Sequence, residues 1–220
     1  MSDFFEPPPP LEDPERAEPR PPWWHAPSGT LPGVIALELV VARTERVVVC
    51  VARLGAYPTG FELDLVTIAS GESDELDPFL FGQGLRGRTR RRESQAAAGI
   101  PPEKLRFGIE FADGTKATNT SRSLGRPLEE PPTGPLLTSG GGSGGGGNFR
   151  QSIWVWPLPP AGKLAFVCEW PVAGIPLTRQ EIDAQPILDA ASRAQQFFTE
   201  AELSNTPGGH AITIGDRPPS

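Results

Sequence analysis

The chain has 220 residues, a net charge of −7 and an isoelectric point near 5.0, with 27 prolines and 25 glycines. That acidity disfavours a generic binder of nucleic acid or of anionic membrane, and no window holds the ~18 consecutive apolar residues of a spanning helix. Long stretches lack apolar periodicity, so a single core of about 120–140 residues is expected, an ordinary domain size.

The start, MSDFFEPPPP, has neither a basic n-region nor an apolar h-region, so no secretory signal is expected. Cys50 and Cys168 lie in apolar strand-like runs and are expected to be buried free thiols. With His25 and His210 in the tails, two isolated cysteines do not supply the four ligands of a zinc site. No metal or other cofactor is expected.

Residues 1–30 read as a disordered, proline-rich acidic tail, because proline fixes φ and removes backbone donors. Such an arm could engage a protein partner with a proline-reading groove. Trp23 and Trp24 are unusual in a disordered tail. They either dock on the protein's own core, the favoured reading, or anchor a partner.

The domain itself is expected over residues 31–203. Val34 to Arg43 alternates, with Ile35, Leu37, Leu39 and Val41 on one face, and Arg46 to Leu54 carries a β-branched run apolar on both faces. Together they predict a first hairpin. After a turn over Gly55–Gly60, Phe61, Leu63 and Leu65 alternate with Glu62, Asp64 and Val66, as in an antiparallel strand with one wet face. Residues 71–103 read as a mobile insertion carrying Arg86, Arg88, Arg90, Arg91 and Arg92. No aromatics interleave with these arginines and acids flank them, so a solvated loop is favoured over nucleic-acid contact.

Leu105 to Ala112 is the cleanest alternation, and Asp113-Gly114 is a strong hairpin turn signal leading into Thr115–Thr118. Residues 119–148 read as a second mobile insertion, with a short strand at Leu136-Leu137 and a flexible loop over SGGGSGGGGN. That glycine run lacks the Gly-Lys-Ser/Thr ending of a phosphate-binding loop. Period-two runs over Arg150–Trp156 and Lys163–Trp170 flank PLPPAG and predict a central hairpin that anchors the core with three of the five tryptophans nearby. Thr178-Arg-Gln-Glu181 fits a capping box, and beyond Pro186 an apolar stripe from Ile187 predicts an amphipathic helix. Residues 204–220 read as a flexible tail.

The runs WVWPLPP at Trp154–Pro160 and FVCEWP at Phe166–Pro171, with Leu105–Gly108 upstream and Glu181-Ile-Asp-Ala downstream, resemble a type of actinobacterial protein of unknown function. The resemblance spans about Pro32 to Phe198 plus the proline-rich start. It implies a bacterial, cytoplasmic, single-domain protein and brings no activity or site residue with it.

These readings predict a mainly β fold: an antiparallel β-sandwich of about seven or eight strands with a C-terminal amphipathic helix. The favoured function is a non-enzymatic protein-interaction or structural accessory module, with Trp23, Trp24, Arg86, Arg88, Arg90, Arg91 and Arg92 as candidate partner contacts. The alternative is an enzyme, or a hard-cation or ligand-binding domain, built where two of the outward carboxylates Glu38, Glu62, Asp64, Glu110 and Glu169 converge. A weaker alternative is nucleic-acid contact through the arginine loop. No catalytic residue stands out, and neither strand order nor oligomeric state follows from the pattern.

Overall fold

The structure, a computed structural model, describes residues 21–70, 100, 102–120 and 130–204. The proline-rich residues 1–20, the arginine cluster Arg86–Arg92 and most of the C-terminal tail lie outside the described residues.

The fold is mainly β and built from three antiparallel sheets. The largest holds β2 (Gly33–Arg43), β3 (Val47–Tyr57), β4 (Gly60–Ala69), β8 (Asn148–Trp156) and β7 (Leu136–Gly145), in that spatial order. The second runs β10 (Ile175–Asp183), β9 (Lys163–Trp170), β5 (Arg106–Glu110), β6 (Lys116–Thr118). A two-residue pair, β1 (Thr30–Leu31) with β11 (Gln195–Gln196), ties the start of the domain to its end. Nine strands thus form the two larger sheets, where the pattern predicted seven or eight.

Both hairpins with short, well-signalled turns form as their sequences require. β2 pairs with β3, and β5 pairs with β6 across Asp113-Gly114. In that turn Gly114 sits at φ +82°, and the Asp113 carboxylate accepts from the backbone N–H and hydroxyl of Thr115 at 2.9 and 2.6 Å. The Asp side chain thereby satisfies the backbone donor that the turn leaves over.

The central pair behaves differently. β8 and β9 do not form a hairpin: β8 pairs with β4 and β7 in one sheet, while β9 pairs with β10 and β5 in the other. The connecting PLPPAG is a crossover between sheets. Its three prolines cannot donate to a ladder and its length exceeds that of a tight turn, so nothing holds the two strands side by side.

The glycine tract is also strand and not loop. Leu136–Gly145 pairs along β8, and the turn between them is Gly146-Gly147 at φ +60° and +78°. Two successive positive φ values make the two-residue hairpin whose twist suits the flanking strands, and glycine adopts them without steric cost. The capping box at Thr178 is likewise strand, since β10 continues to Asp183. Helix α1 spans only Gln185–Ser192, with Pro186 in its first turn, where a missing N–H costs nothing. It buries Ile187, Ala190 and Ala191. At Gly33 a Cβ would lie 1.9 Å from the Ala190 carbonyl oxygen, so the start of β2 admits the helix only because no side chain is there. A short helix, α2 (Glu200–Ser204), follows β11.

One buried cluster draws on both larger sheets and on α1. Val49, Val51, Phe61, Leu63, Ile153 and Val155 come from the first sheet, and Phe107, Ile109, Leu164, Phe166, Cys168 and Trp170 from the second. Phe107 and Phe166 stack at 6.3 Å, and the Trp170 indole donates to the Glu103 carbonyl at 2.8 Å, so the largest core side chain leaves no buried donor unpaired.

Candidate functional site

With the inward positions filled, the alternation of each strand leaves two outer faces to consider. On the four-stranded sheet the register aligns the outward residues in rows. Arg106 faces Glu169 across β5 and β9. Next come Thr118, Gly108, Val167 and Arg179 across all four strands. Then follow Lys116, Glu110, Ala165 and Glu181. Gly108 contributes no side chain to the middle row and Val167 only a short one, so the face is hollow at its centre. A cavity of about 420 Å³ results, with Val167 and Leu177 in its lining and Arg106, Glu169, Arg179 and Glu110 around it. Leu177 is 70% exposed beside this concave surface.

The charges around the hollow are paired. Arg179 donates to both oxygens of Glu110 at 2.9 and 3.4 Å and to Glu181 at 3.1 Å. Lys116 reaches Glu110 at 3.2 Å and Lys163 reaches Glu181 at 2.9 Å. The hydrogen bond from Arg179, and then that from Lys116, holds the Glu110 carboxyl below the usual carboxylate range. Lys163 and Arg179 do the same for Glu181. At the far end Arg106 donates to Glu169 through Nη1 and to the Ile100 carbonyl through Nη2 at 3.0 Å. Its Nε–H is buried and meets no acceptor among the described residues.

Glu110 and Glu169 do not converge as an acid/base pair. Glu110 and Glu169 share the cavity wall, yet four strand positions separate their rows, roughly 13 Å at the rise of a β-strand. Glu62 and Asp64 lie on the other sheet. Glu62 accepts from the Ser152 hydroxyl, and Asp64 accepts from Arg53 at 3.2 Å and from Arg150 at 3.5 Å. Glu38 is exposed on the edge strand β2. Among the described residues no three of His, Cys, Asp and Glu gather around a point that could hold a cation.

The outer face of the five-stranded sheet carries aromatics. Tyr57 packs edge-on against Trp154 at 5.6 Å, and Trp23 packs edge-on against Trp156 at 6.3 Å. Trp23 and Trp24 are both half-buried, and through Trp23 the arm that contains them touches this face. Cys50 and Cys168 are free thiols. Burial raises the Cys50 pKa against the opposing pull of Arg150, and burial foremost, with Glu169 beside it, pushes Cys168 up to about 12. Neither thiol is tuned as a nucleophile. No helix among the described residues is long and apolar enough to cross a membrane.

Of the residues singled out from sequence, Glu110 and Glu169 therefore fall at the cavity, Trp23 and Trp24 fall elsewhere, and the five arginines lie outside the described residues. Arg106, Val167, Leu177 and Arg179 were missed as site residues. Their alternation placed Arg106 and Val167 outward, but only the cross-strand register brings them together. No protein-family model matches this chain, and no curated protein or solved structure matches it either.

Proposed function

We propose that this chain is a non-enzymatic interaction module of the cytoplasm: a β-sandwich that receives a protein partner on the outer face of its four-stranded sheet. The observation that carries this reading is the exposed Leu177 and half-buried Val167 at a hollow ringed by paired charges. An apolar centre inside a polar rim is the anatomy of a recognition patch. The pairing supports recognition over catalysis. Glu110 and Glu181 are held below the normal carboxylate range, away from the value near neutrality that suits a general acid or base. The cross-links also fix the rim before binding, so less side-chain freedom is lost on association.

Affinity enrichment from a lysate of the source cells tests this reading, comparing the wild-type chain with Leu177→Asp and Phe197→Ser. Phe197 is 62% exposed but lies next to β11, well removed in sequence from the cavity strands, and serves as the apolar control. The expected result is a partner held by wild type and by Phe197→Ser and lost with Leu177→Asp. A partner held equally by Leu177→Asp would remove the four-stranded face as the interface.

A further inference from the structure

We infer that the partner element at this face is an extended peptide segment with an acidic residue two positions from a large apolar one, an inference that rests on the interaction-module reading above. The acidic half follows from charge. The cavity lining carries Arg106, Lys116 and Arg179 against Glu110 and Glu169, an excess of one positive charge on a chain whose net charge is −7. Of these cations, Lys116 and Arg179 are already committed to Glu110. Arg106 keeps an unused donor: Glu169 and the Ile100 carbonyl hold its two terminal nitrogens, while its Nε–H is shielded from water and meets no acceptor among the described residues. A buried donor without a partner destabilises the free protein. A carboxylate entering the cavity would draw the guanidinium off the wall and take Nε and one Nη side-on, the two-bond geometry that guanidinium and carboxylate favour. Carboxylate and not ammonium is therefore the complementary group.

The apolar half and the spacing follow from the strand geometry. Arg106 stands in the row beside Glu169, and the hollow over Gly108 and Val167 is the next outward row, two residues along β5. Outward rows on one strand are about 6.6–6.8 Å apart, which is also the distance between same-face side chains i and i+2 of an extended peptide. A segment running along β5 that places its carboxylate on Arg106 thus sets its i+2 side chain over Gly108 and Val167, the row that Arg179 closes on β10. The hollow there requires that position 108 stay without a side chain, since a Cβ would already stand 3.0 Å from the Ala117 carbonyl and from the Thr118 methyl.

Fluorescence polarisation with three labelled heptapeptides tests the inference on the full chain. The first carries Asp-Ser-Phe flanked by Gly and Ser, the second Asn-Ser-Phe, the third Asp-Ser-Ala. The expected result is binding of the first, with the other two each about tenfold weaker, a difference of one charge-assisted contact or one buried ring. Arg106→Lys keeps the charge but not the side-on fork, so it should erase most of the preference for Asp over Asn while the preference for Phe over Ala remains. Val167→Trp should fill the hollow and reverse that pattern. Circular dichroism and thermal melting identify any variant that fails to fold, and the three peptides on wild type keep the test independent of the variants. Equal binding of the Asp and Asn peptides, or no binding of any, overturns the acidic-apolar specificity. The interaction-module reading falls separately, through an unchanged partner with Leu177→Asp.

Discussion

The two larger sheets differ in how their outer faces are filled at one place each: an aromatic cluster on the five-stranded sheet and a hollow on the four-stranded one. On the five-stranded sheet the outward positions carry Trp154, Trp156 and Tyr57, and the chain covers them itself: Trp154 is 4% exposed, and Trp23 from the N-terminal arm lies against Trp156. On the four-stranded sheet the outward positions carry glycine, valine and paired charges, and the face stays open with Leu177 70% exposed. Burying an aromatic side chain removes about 150–250 Å² from water and so offsets part of the ordering of a short arm. A hollow over Gly108 and Val167 offers the arm far less. Trp23 thus packs on the chain's own aromatic face, in line with the favoured expectation for the tryptophan pair, while the proposal above places recognition on the quieter face.

Phe166 belongs to the core beneath the open face and is 0% exposed, so Phe166→Ala should cost about 3–5 kcal/mol by urea denaturation. Trp23→Ala strips part of the cover from the aromatic face and should cost about 1–2 kcal/mol in the same assay. A smaller effect is expected from acid. Glu110 and Glu181 have folded-state values depressed below 4.5, so their contribution is present above that pH and is lost as pH falls through the depressed values. The melting temperature of Glu110→Gln/Glu181→Gln should therefore fall less steeply than that of wild type between about pH 5 and pH 3. Parallel slopes would mean that the ring around the hollow does not pair in solution. The smallest effect is a rate. Cys50, half-buried on the outer side, should react slowly with a disulfide reagent at pH 8, and Cys168, with its pKa pushed up to about 12, only when the chain unfolds.

How far the sequence carried follows the range of each signal. Alternation and local turn chemistry act within a few residues, so β2 with β3, and β5 with β6 across Asp113-Gly114, were legible. Which strand lies beside which is a non-local fact. The alternation of β9 put Leu164, Phe166, Cys168 and Trp170 on one face, and that face is the buried one, yet it could not show that β8 and β9 enter different sheets. Thr178 and Glu181 fit a helix cap, but Arg179 and Glu181 also fit the outward positions of a strand, and pairing with β9 decided between them. The Gly-Gly turn at the end of β7 was itself a hairpin signal, hidden because the glycines before it carry no side-chain pattern. The site shares the limitation of the strand order. Glu110 and Glu169 were recognised as outward, whereas a hollow that needs Gly108, Val167, Leu177 and Arg179 from three strands appears only once the register is known.

The most direct test of the central claim pairs one variant from each face, Leu177→Asp and Trp23→Ala, and reads both stability and partner retention. Leu177→Asp should keep wild-type stability within about 0.5 kcal/mol, as exposed substitutions generally do, and lose the partner. Trp23→Ala should lose stability and retain the partner. The reverse outcome, with the partner lost on Trp23→Ala and kept on Leu177→Asp, would contradict it and return the recognition surface to the tryptophan arm.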